Sequence, residues 1–428
     1  MPQILPVRGL RYTPRAGDLS NLLAPPYDVI TPAQQRALVE RSPHNAVRLE
    51  LAEGGEERYA AVAALLAQWQ AEGALARDAS PTLYVYEQEF SEGGHRHTRR
   101  AILTGIEAQP WEEGAVKPHE FTMSGPKEDR LKLLEATKTQ FSPVFMIARD
   151  RAGQLRQYIE ATMRREPDHT ATTIEGDTHR LWVVEVTPFD MRALAPLFSE
   201  SFYIADGHHR YETAVAYKQR VIEREGALPR DHPARFALSA IVAADDPGLV
   251  ILPIHRFVPR NAPAGWETTL GALFDIDALK LPGDESERAR DIELVLSEEP
   301  GAIIAFNLTP GEFHILRLRD TAALAPSLPP GRSEQWGALR ANVLRYAVLQ
   351  PLWGIGDAEL AAGAVEYDHD TAALYEHAAG TTHGVAFFIA PVTIHDVMSL
   401  ADEGQRMPQK TTFFYPKLGT GLVFNPLE

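Results

Sequence analysis

Apolar and polar residues alternate with two different periods along this chain, and the segments that carry them follow one another irregularly. Thr31-Pro32 joins an N-cap residue to a proline at the first helical position, so a helix starts there. Residues 57–77 place Val62, Leu65, Leu66 and Trp69 on one face of an amphipathic helix. Leu83 to Phe90 alternates with period two, Ser91-Glu-Gly-Gly turns the chain, and Thr98 to Ile106 returns, which predicts a hairpin. A helix ending near Thr137, a strand over Pro143 to Ile147 and a helix over 152–165 follow. Leu181 to Val186 and Phe202 to Ala205 read as strands, and His208 to about Arg224 as a helix. Phe236 to Ala244 and Leu249 to Phe257 read as a strand pair around Asp245-Asp246-Pro247-Gly248. Strands are further predicted at Ile303 to Leu308, Phe313 to Leu318 and Gly384 to Ala390, with helices over 334–349 and 393–403 and a polar–aromatic end at 409–424.

Helices and strands that alternate without a regular βαβ rhythm predict an α+β fold with mixed sheets. The length of 428 residues suggests two or three domains, or a single intertwined body. The loop-rich acidic stretch 278–300 and the proline-rich 320–335 read as linkers or surface excursions. The expected division is an N-terminal α/β region, 1–232, and a C-terminal α/β region, 233–428.

Charge narrows the partners. With 58 acidic against 42 basic residues the formal net charge is −16, which repels a polyanion, so no nucleic-acid partner is expected. A small phosphate ligand is compatible, because a few aimed donors suffice. The chain has no cysteine, which removes disulfides, thiolate metal sites and cysteine nucleophiles. The start, Met1-Pro-Gln-Ile-Leu-Pro-Val-Arg8, lacks the pattern of a signal peptide, and no apolar run is long enough to span a bilayer. A soluble, cytoplasmic protein is expected, with no membrane partner. Oligomeric state is not readable.

The segment Tyr203-Ile-Ala-Asp-Gly-His-His-Arg-Tyr-Glu212 carries the densest chemistry. A strand ends at Ala205, Asp206-Gly207 turns, and His208 opens a helix whose first N–H groups have no partner within the helix. That end carries partial positive charge and favours an anion, commonly a phosphate. Arg210 adds a fork of donors suited to phosphate oxygens. Asp206 can hold Mg²⁺ or accept a proton, and equally can serve only as an N-cap. His208 and His209 can donate to phosphate or act in proton transfer. His208 and Glu212 share a helix face and, with His119 and Glu120, also suit a metal-dependent hydrolase, although His-x-x-x-Glu is a weak pattern.

Two further segments are unusual. Val116-Lys-Pro-His-Glu-Phe-Thr122, followed by Lys127, Asp129 and Arg130, offers Glu120 or His119 as a general base and Arg130 or Lys127 as phosphate neutralisers, or else is solvated loop polarity. Met407-Pro-Gln-Lys-Thr-Thr-Phe-Phe-Tyr-Pro-Lys417 places lysines 410 and 417 among aromatic residues. It reads as a strand docked on the core through Phe413 and Phe414, with Lys410 able to reach an anionic ligand. Pro253-Ile-His-Arg256, Pro25-Pro-Tyr-Asp28 and His44-Asn-Ala-Val-Arg48 are read as structural.

These motifs together resemble the bacterial and archaeal family DUF1015, over nearly the whole chain. Members often carry Thr where Ile254 stands and Ser where Thr411 stands. Over about a dozen residues the Asp-Gly-His-His-Arg element is also similar to the phosphate-binding element of the ParB and sulfiredoxin superfamily. That superfamily includes DNA partition proteins, sulfiredoxins and free-serine kinases. Sulfiredoxin chemistry needs a cysteine, and partition proteins need DNA-binding elements, so the kinase branch remains. The resemblance implies a ParB/sulfiredoxin-like nucleotide-binding core elaborated by additional elements. It also implies ATP or ADP with Mg²⁺ as cofactors and a small hydroxyl metabolite, L-serine foremost, as substrate. In that reading Gly207, His208, His209 and Arg210 cradle phosphates with help from His119 and Arg130. Asp206 holds Mg²⁺ or orients the acceptor, Glu120 or Glu212 takes the hydroxyl proton, and Lys410 offsets charge. A non-catalytic nucleotide-binding regulator uses the same cradle without a base.

Overall fold

Alternation is the strongest signal in the sequence, and the hairpin it marks forms the middle of the largest sheet in the computed structural model. The structure describes residues 3–121 and 124–428, so Thr122 lies outside the described residues. The chain divides into two units. The first takes Met1–Pro118, Thr122–Val250 and Pro416–Glu428, and the second takes His119–Phe121 and Ile251–Tyr415.

The first unit is built on nine strands: β1 (Ile4–Leu5), β2 (Thr82–Glu92), β3 (His95–Glu107), β4 (Val116–Lys117), β5 (Val144–Ala148), β6 (His169–Thr172), β7 (Thr178–Glu185), β8 (Phe202–Asp206) and β9 (Phe236–Ala243). Their order is β4-β8-β5-β9-β3-β2-β7-β6, with β1 beside β3. The sheet is mixed: β8 runs parallel to β4 and antiparallel to β5, and β9 runs parallel to β5 and antiparallel to β3. Its helices are α1 (Pro32–Arg41), α2 (Glu57–Ala71), α3 (Ser124–Thr137), α4 (Gln154–Thr162) and α5 (His208–Glu225). Thr31 caps α1 with the expected capping box and Pro32 at its start. Tyr211 and Ala214 of α5 pack into a cluster with Leu83, Ile102, Met146 and Ile204 from the sheet. A second cluster joins Val62, Leu66 and Trp69 of α2 to Leu133 of α3 and to Phe424.

Three sequence expectations shift here. The helix predicted over 57–77 ends at Ala71, because Gly73 takes a left-handed conformation (φ 73°) and Leu75–Arg77 then pairs as a strand with Leu10–Tyr12. The predicted pairing of Phe236–Ala244 with Leu249–Phe257 does not occur. β9 is already hydrogen-bonded on both edges, by β3 and β5. For the same reason the division expected at 232/233 falls near 250: β9 belongs to the first unit's sheet.

The second unit has strands β10 (His255–Val258), β11 (Phe274–Leu279), β12 (Ile303–Phe306), β13 (Phe313–Leu318), β14 (Glu366–Asp368) and β15 (Val385–Ile389). They follow the order β11-β13-β12-β15-β10-β14, every pairing antiparallel. Helices α6 (Arg288–Glu298), α7 (Thr371–Gly380) and α8 (Ile394–Asp402) accompany it. Ile292 and Leu296 of α6 and Leu374 and Ala378 of α7 pack with Ile304, Phe306 and Phe388 of the sheet. So 278–300 holds a helix where a linker was expected; its apolar residues are spaced for one face, among charges that mask the pattern. The helix expected over 334–349 is broken at Leu339 (ψ 128°) and continues as Arg340–Leu344, a π-helical turn Arg345–Leu349, and Gln350–Trp353. Among the described residues, no helix is long and apolar enough to cross a membrane.

Candidate functional site

The segment singled out by sequence folds as a strand, a one-residue turn and a helix. β8 carries Asp206 at its end, after a register irregularity that separates Ile204 from Asp206. Gly207 holds φ 89° and ψ 30°, and α5 begins at once, its first bond running from the Tyr211 N–H to the Gly207 carbonyl at 3.0 Å. The N-cap of α5 is Gly207, with no side-chain cap. The alternative use of Asp206 as an N-cap is therefore overturned, because its carboxylate faces other donors. A Cβ on Gly207 would stand 3.0 Å from the Arg210 guanidinium carbon, and a left-handed backbone already favours glycine.

Asp206 sits between two cations. Its Oδ2 accepts from Arg210 Nη2 at 2.6 Å, and its Oδ1 accepts from the Lys417 ammonium. These side chains are only 11–14% exposed. Burial by itself raises the Asp206 carboxyl. The charges of Lys417 and Arg210, the hydrogen bond from Lys417 and the charge of His208 outweigh burial and hold it well below the usual carboxylate range. Arg210 Nη1 also donates to the Pro143 carbonyl. The donor set does not fit the expected Mg²⁺ role: both carboxylate oxygens already bind cations, and a metal would have to displace them. Among the described residues no group of three or more His, Asp or Glu side chains is arranged to hold a metal. Lys417 is the residue at this turn that sequence reasoning passed over. Lysines 410 and 417 were both visible in the aromatic segment, and the expectation settled on Lys410.

The other expected residues of the first unit stand near this turn. His208 is buried; His209 is half-buried, and its carbonyl accepts from Thr213 Oγ1 at 2.7 Å. Glu212 pairs with Lys127 at 2.5 Å and accepts from Trp111 Nε1 at 3.0 Å, while the Trp111 ring stacks on Tyr211 at 4.8 Å. Arg130 donates to the Glu50 carbonyl at 2.9 Å and to Glu50 Oε2 at 3.0 Å, and pairs with Asp129 at 2.6 Å. Its guanidinium lies 4.3 Å from the centre of the Tyr27 ring. Burial, then the Asp28 charge, push the Tyr27 phenol up to about 12 against the lowering effect of Arg210 and Arg130. Asp129 is held down at about 2: burial opposes, but the charge and hydrogen bonds of Arg130 and the hydrogen bonds from Tyr59 and Arg58 prevail. Arg130 and Arg210 line one cavity of about 50 Å³ together with Tyr27, Glu50, Ser142 and Thr213. That is room for a few waters beside two guanidinium groups.

His119, Glu120 and Lys410 belong to the second unit. His119 is 1% exposed, so the expected contact with phosphate is not made by its ring, which faces Thr412 and Phe414. His119 Nε2 lies 2.8 Å from Thr412 Oγ1, and Thr412 Oγ1 donates to Glu120 Oε1 at 2.9 Å. Lys410 is exposed in a left-handed conformation (φ 58°), its carbonyl accepting from Arg256 Nη2 at 2.9 Å. Arg256, read from sequence as structural, is buried on β10 of the second unit's sheet and brought down to about 10, chiefly by burial.

No curated protein matches this chain. Several solved structures do, weakly. "Free serine kinase in complex with AMP" shares 15% identity with a TM-score of 0.33, covering 75% of this chain and 92% of its own. "Conserved hypothetical protein from Pyrococcus furiosus" shares 16% identity with a TM-score of 0.32, covering 75% and 95%. "SbnI with C-terminal truncation from Staphylococcus aureus" shares 12% identity with a TM-score of 0.34, covering 76% and 87%. Likeness of this degree says nothing about chemistry. A family model described as "Protein of unknown function (DUF1015)" matches residues 4–328, and the chain belongs to that family.

Proposed function

We propose that this protein is a nucleotide-dependent phosphotransferase that acts on a small hydroxyl metabolite, with L-serine the leading candidate and ATP or ADP the donor. The observation that carries the reading is the β8–Gly207–α5 turn, where Arg210 and Lys417 converge on Asp206 at the start of an 18-residue helix. A helix start and two cations favour an anion, and the glycine lets backbone approach it. In this reading Gly207, His208, His209 and Arg210 bind the phosphates and Lys417 neutralises charge. Asp206 fixes Arg210 and Lys417 in place. The acceptor oxygen forms a bond to the terminal phosphorus as the bond to the leaving nucleotide breaks, and the hydroxyl proton passes to a carboxylate. Glu120 or Glu212 is that carboxylate: Glu212 pairs with Lys127, and Glu120 accepts from the Thr412 hydroxyl.

The test is purified protein with Mg²⁺, serine and either ATP or ADP, read by ³¹P NMR or mass spectrometry for phosphoserine. The expected result is product with at least one donor, lost in Glu120→Gln or in Glu212→Gln. Absence of product together with absence of a nucleotide-induced thermal shift would refute it.

A nucleotide-binding regulator is the second reading. It is favoured by the fact that Asp206 and Glu212, both expected to act in catalysis, stand in close ion pairs. Nucleotide binding that survives in Glu120→Gln and Glu212→Gln, with no turnover in any form of the protein, would select it.

A further inference from the structure

We infer that Thr412 and His119 form a directional relay that fixes the Glu120 carboxylate, with His119 held as the neutral Nε2–H tautomer. The assignment of Glu120 as proton acceptor rests on the kinase reading above; the relay itself does not. Three atoms form a bent chain through the hydroxyl: His119 Nε2, Thr412 Oγ1 at 2.8 Å, and Glu120 Oε1 2.9 Å from that oxygen. His119 Nε2 is 3.8 Å from Glu120 Oε1, too far for a direct hydrogen bond, so the hydroxyl mediates. A threonine hydroxyl has one hydrogen and an ionised carboxylate only accepts. The Thr412 hydrogen therefore goes to Glu120, and Thr412 can only accept from His119. An imidazole that donates from Nε2 without charge carries its single hydrogen there.

The surroundings hold this chain in place. The ring of His119 is fully buried with Phe414 edge-on at 6.0 Å. The Met407 N–H donates to the His119 carbonyl at 2.7 Å, Glu120 bridges to Met407, and Arg406 Nη1 donates to the Glu120 carbonyl at 3.2 Å. Thr411 Oγ1 closes the turn onto the Pro408 carbonyl at 2.7 Å. Backbone and side chain of Glu120 are thus tied to the same short segment, 406–412, while its side chain keeps 23% exposure. One carboxylate oxygen is committed to Thr412, which aims the other. Thr412 and His119 are positioning residues, because they act through Glu120.

The experiment uses the full chain labelled with ¹⁵N-histidine, with His119→Gln to assign its signals. In wild type, long-range ¹⁵N–¹H spectra at pH 7.5 are expected to show the Nε2–H pattern for His119. Thr412→Val, which keeps shape and removes the hydroxyl, is expected to move that Nε2 resonance, and Thr412→Ser to restore it. In the phosphoserine assay Thr412→Val is expected to lower kcat about tenfold or more while the nucleotide KM stays within about twofold, and Thr412→Ser to recover most of kcat. An Nδ1–H pattern in wild type, or an Nε2 resonance indifferent to Thr412→Val, overturns the relay whatever the activity. If Thr412→Val fails to fold, the wild-type tautomer and the Thr412→Ser spectrum still decide. A wild type without turnover but with the expected spectra overturns the kinase reading and keeps the relay.

Discussion

Lys417→Met isolates the contribution of the residue that the sequence left in the background. Methionine keeps most of the apolar stem and deletes the ammonium, leaving Asp206 its ion pair with Arg210 at 2.6 Å. Removing one partner of a buried ion pair costs about 3–5 kcal/mol. Lys417 and Asp206 are 14% and 13% exposed, so the buried figure applies, but Arg210 still satisfies one oxygen. The expected loss is therefore about 2–3 kcal/mol. For a unit of this size that lowers the melting temperature by about 5–10 °C. The pH dependence has a definite sign. The Asp206 carboxyl is depressed in the fold, so its contribution is present above the unfolded value near 3.8 and is lost as pH falls through the lower folded value. The gap between wild type and Lys417→Met should thus be full at pH 7 and narrow below about pH 4. Thermal and urea unfolding followed by circular dichroism at pH 7, 5 and 3 would measure it. A variant within about 0.5 kcal/mol of wild type at pH 7, or a gap that widens in acid, refutes the account of Asp206 as a carboxylate held between two cations.

Gly207→Ala forces a left-handed alanine and brings a methyl within 3.0 Å of Arg210, so a stability loss of about 1–2 kcal/mol and loss of the nucleotide-induced thermal shift are expected. Calorimetry with ADP would check the second effect. Arg130→Met strips the buried Glu50 carboxylate of its cation and should cost about 2–4 kcal/mol in denaturant titrations. In the same variant the Asp129 carboxyl should rise from about 2 toward its ordinary range, visible by ¹³C NMR. His179 and His255 are buried and brought down to about 3, chiefly by burial, so both stay neutral in the fold. Each contributes stability that is present above the unfolded value near 6.5 and drains at roughly 1.4 kcal/mol per pH unit as pH falls toward 3. Urea midpoints at pH 7.5 and 5 should therefore differ, and His179→Gln should flatten the dependence of the first unit only; identical midpoints would contradict this.

Elements whose apolar period matches their final environment were legible: the β2–β3 hairpin, the β8–α5 junction, the β12–β13 hairpin, α8. What escaped reading was decided by distant partners. Phe236–Ala243 carries no mark of which strands will flank it, and only the register with β3 and β5 places it in the first unit. The helix in 278–300 was hidden because Ile292 and Leu296 stand among charges that face water. At the site, local sequence located the turn and its glycine. It could not foresee that Asp206 would face Lys417, because a pairing over 211 residues leaves no local pattern. His119 reads as a surface polar group beside Glu120, yet packing against Phe414 buries it.

The backbone passes between the two units at 118/119, 121/122, 250/251 and 415/416. Neither unit is therefore one continuous stretch, and neither can be excised by a single cut. Phe424 sits in a core cluster with Leu10, and Asn425–Pro426 pairs with Thr139–Gln140, so the first unit needs its own last thirteen residues, 416–428, to be whole. During synthesis those residues emerge after every other segment of that unit. A nascent chain holds its hydrophobic sheet open until then, and the Asp206 carboxylate waits for Lys417 just as long. Ribosome-bound intermediates that have not yet exposed residues 416–428 should be protease-sensitive in the first unit and gain resistance there once that segment has emerged.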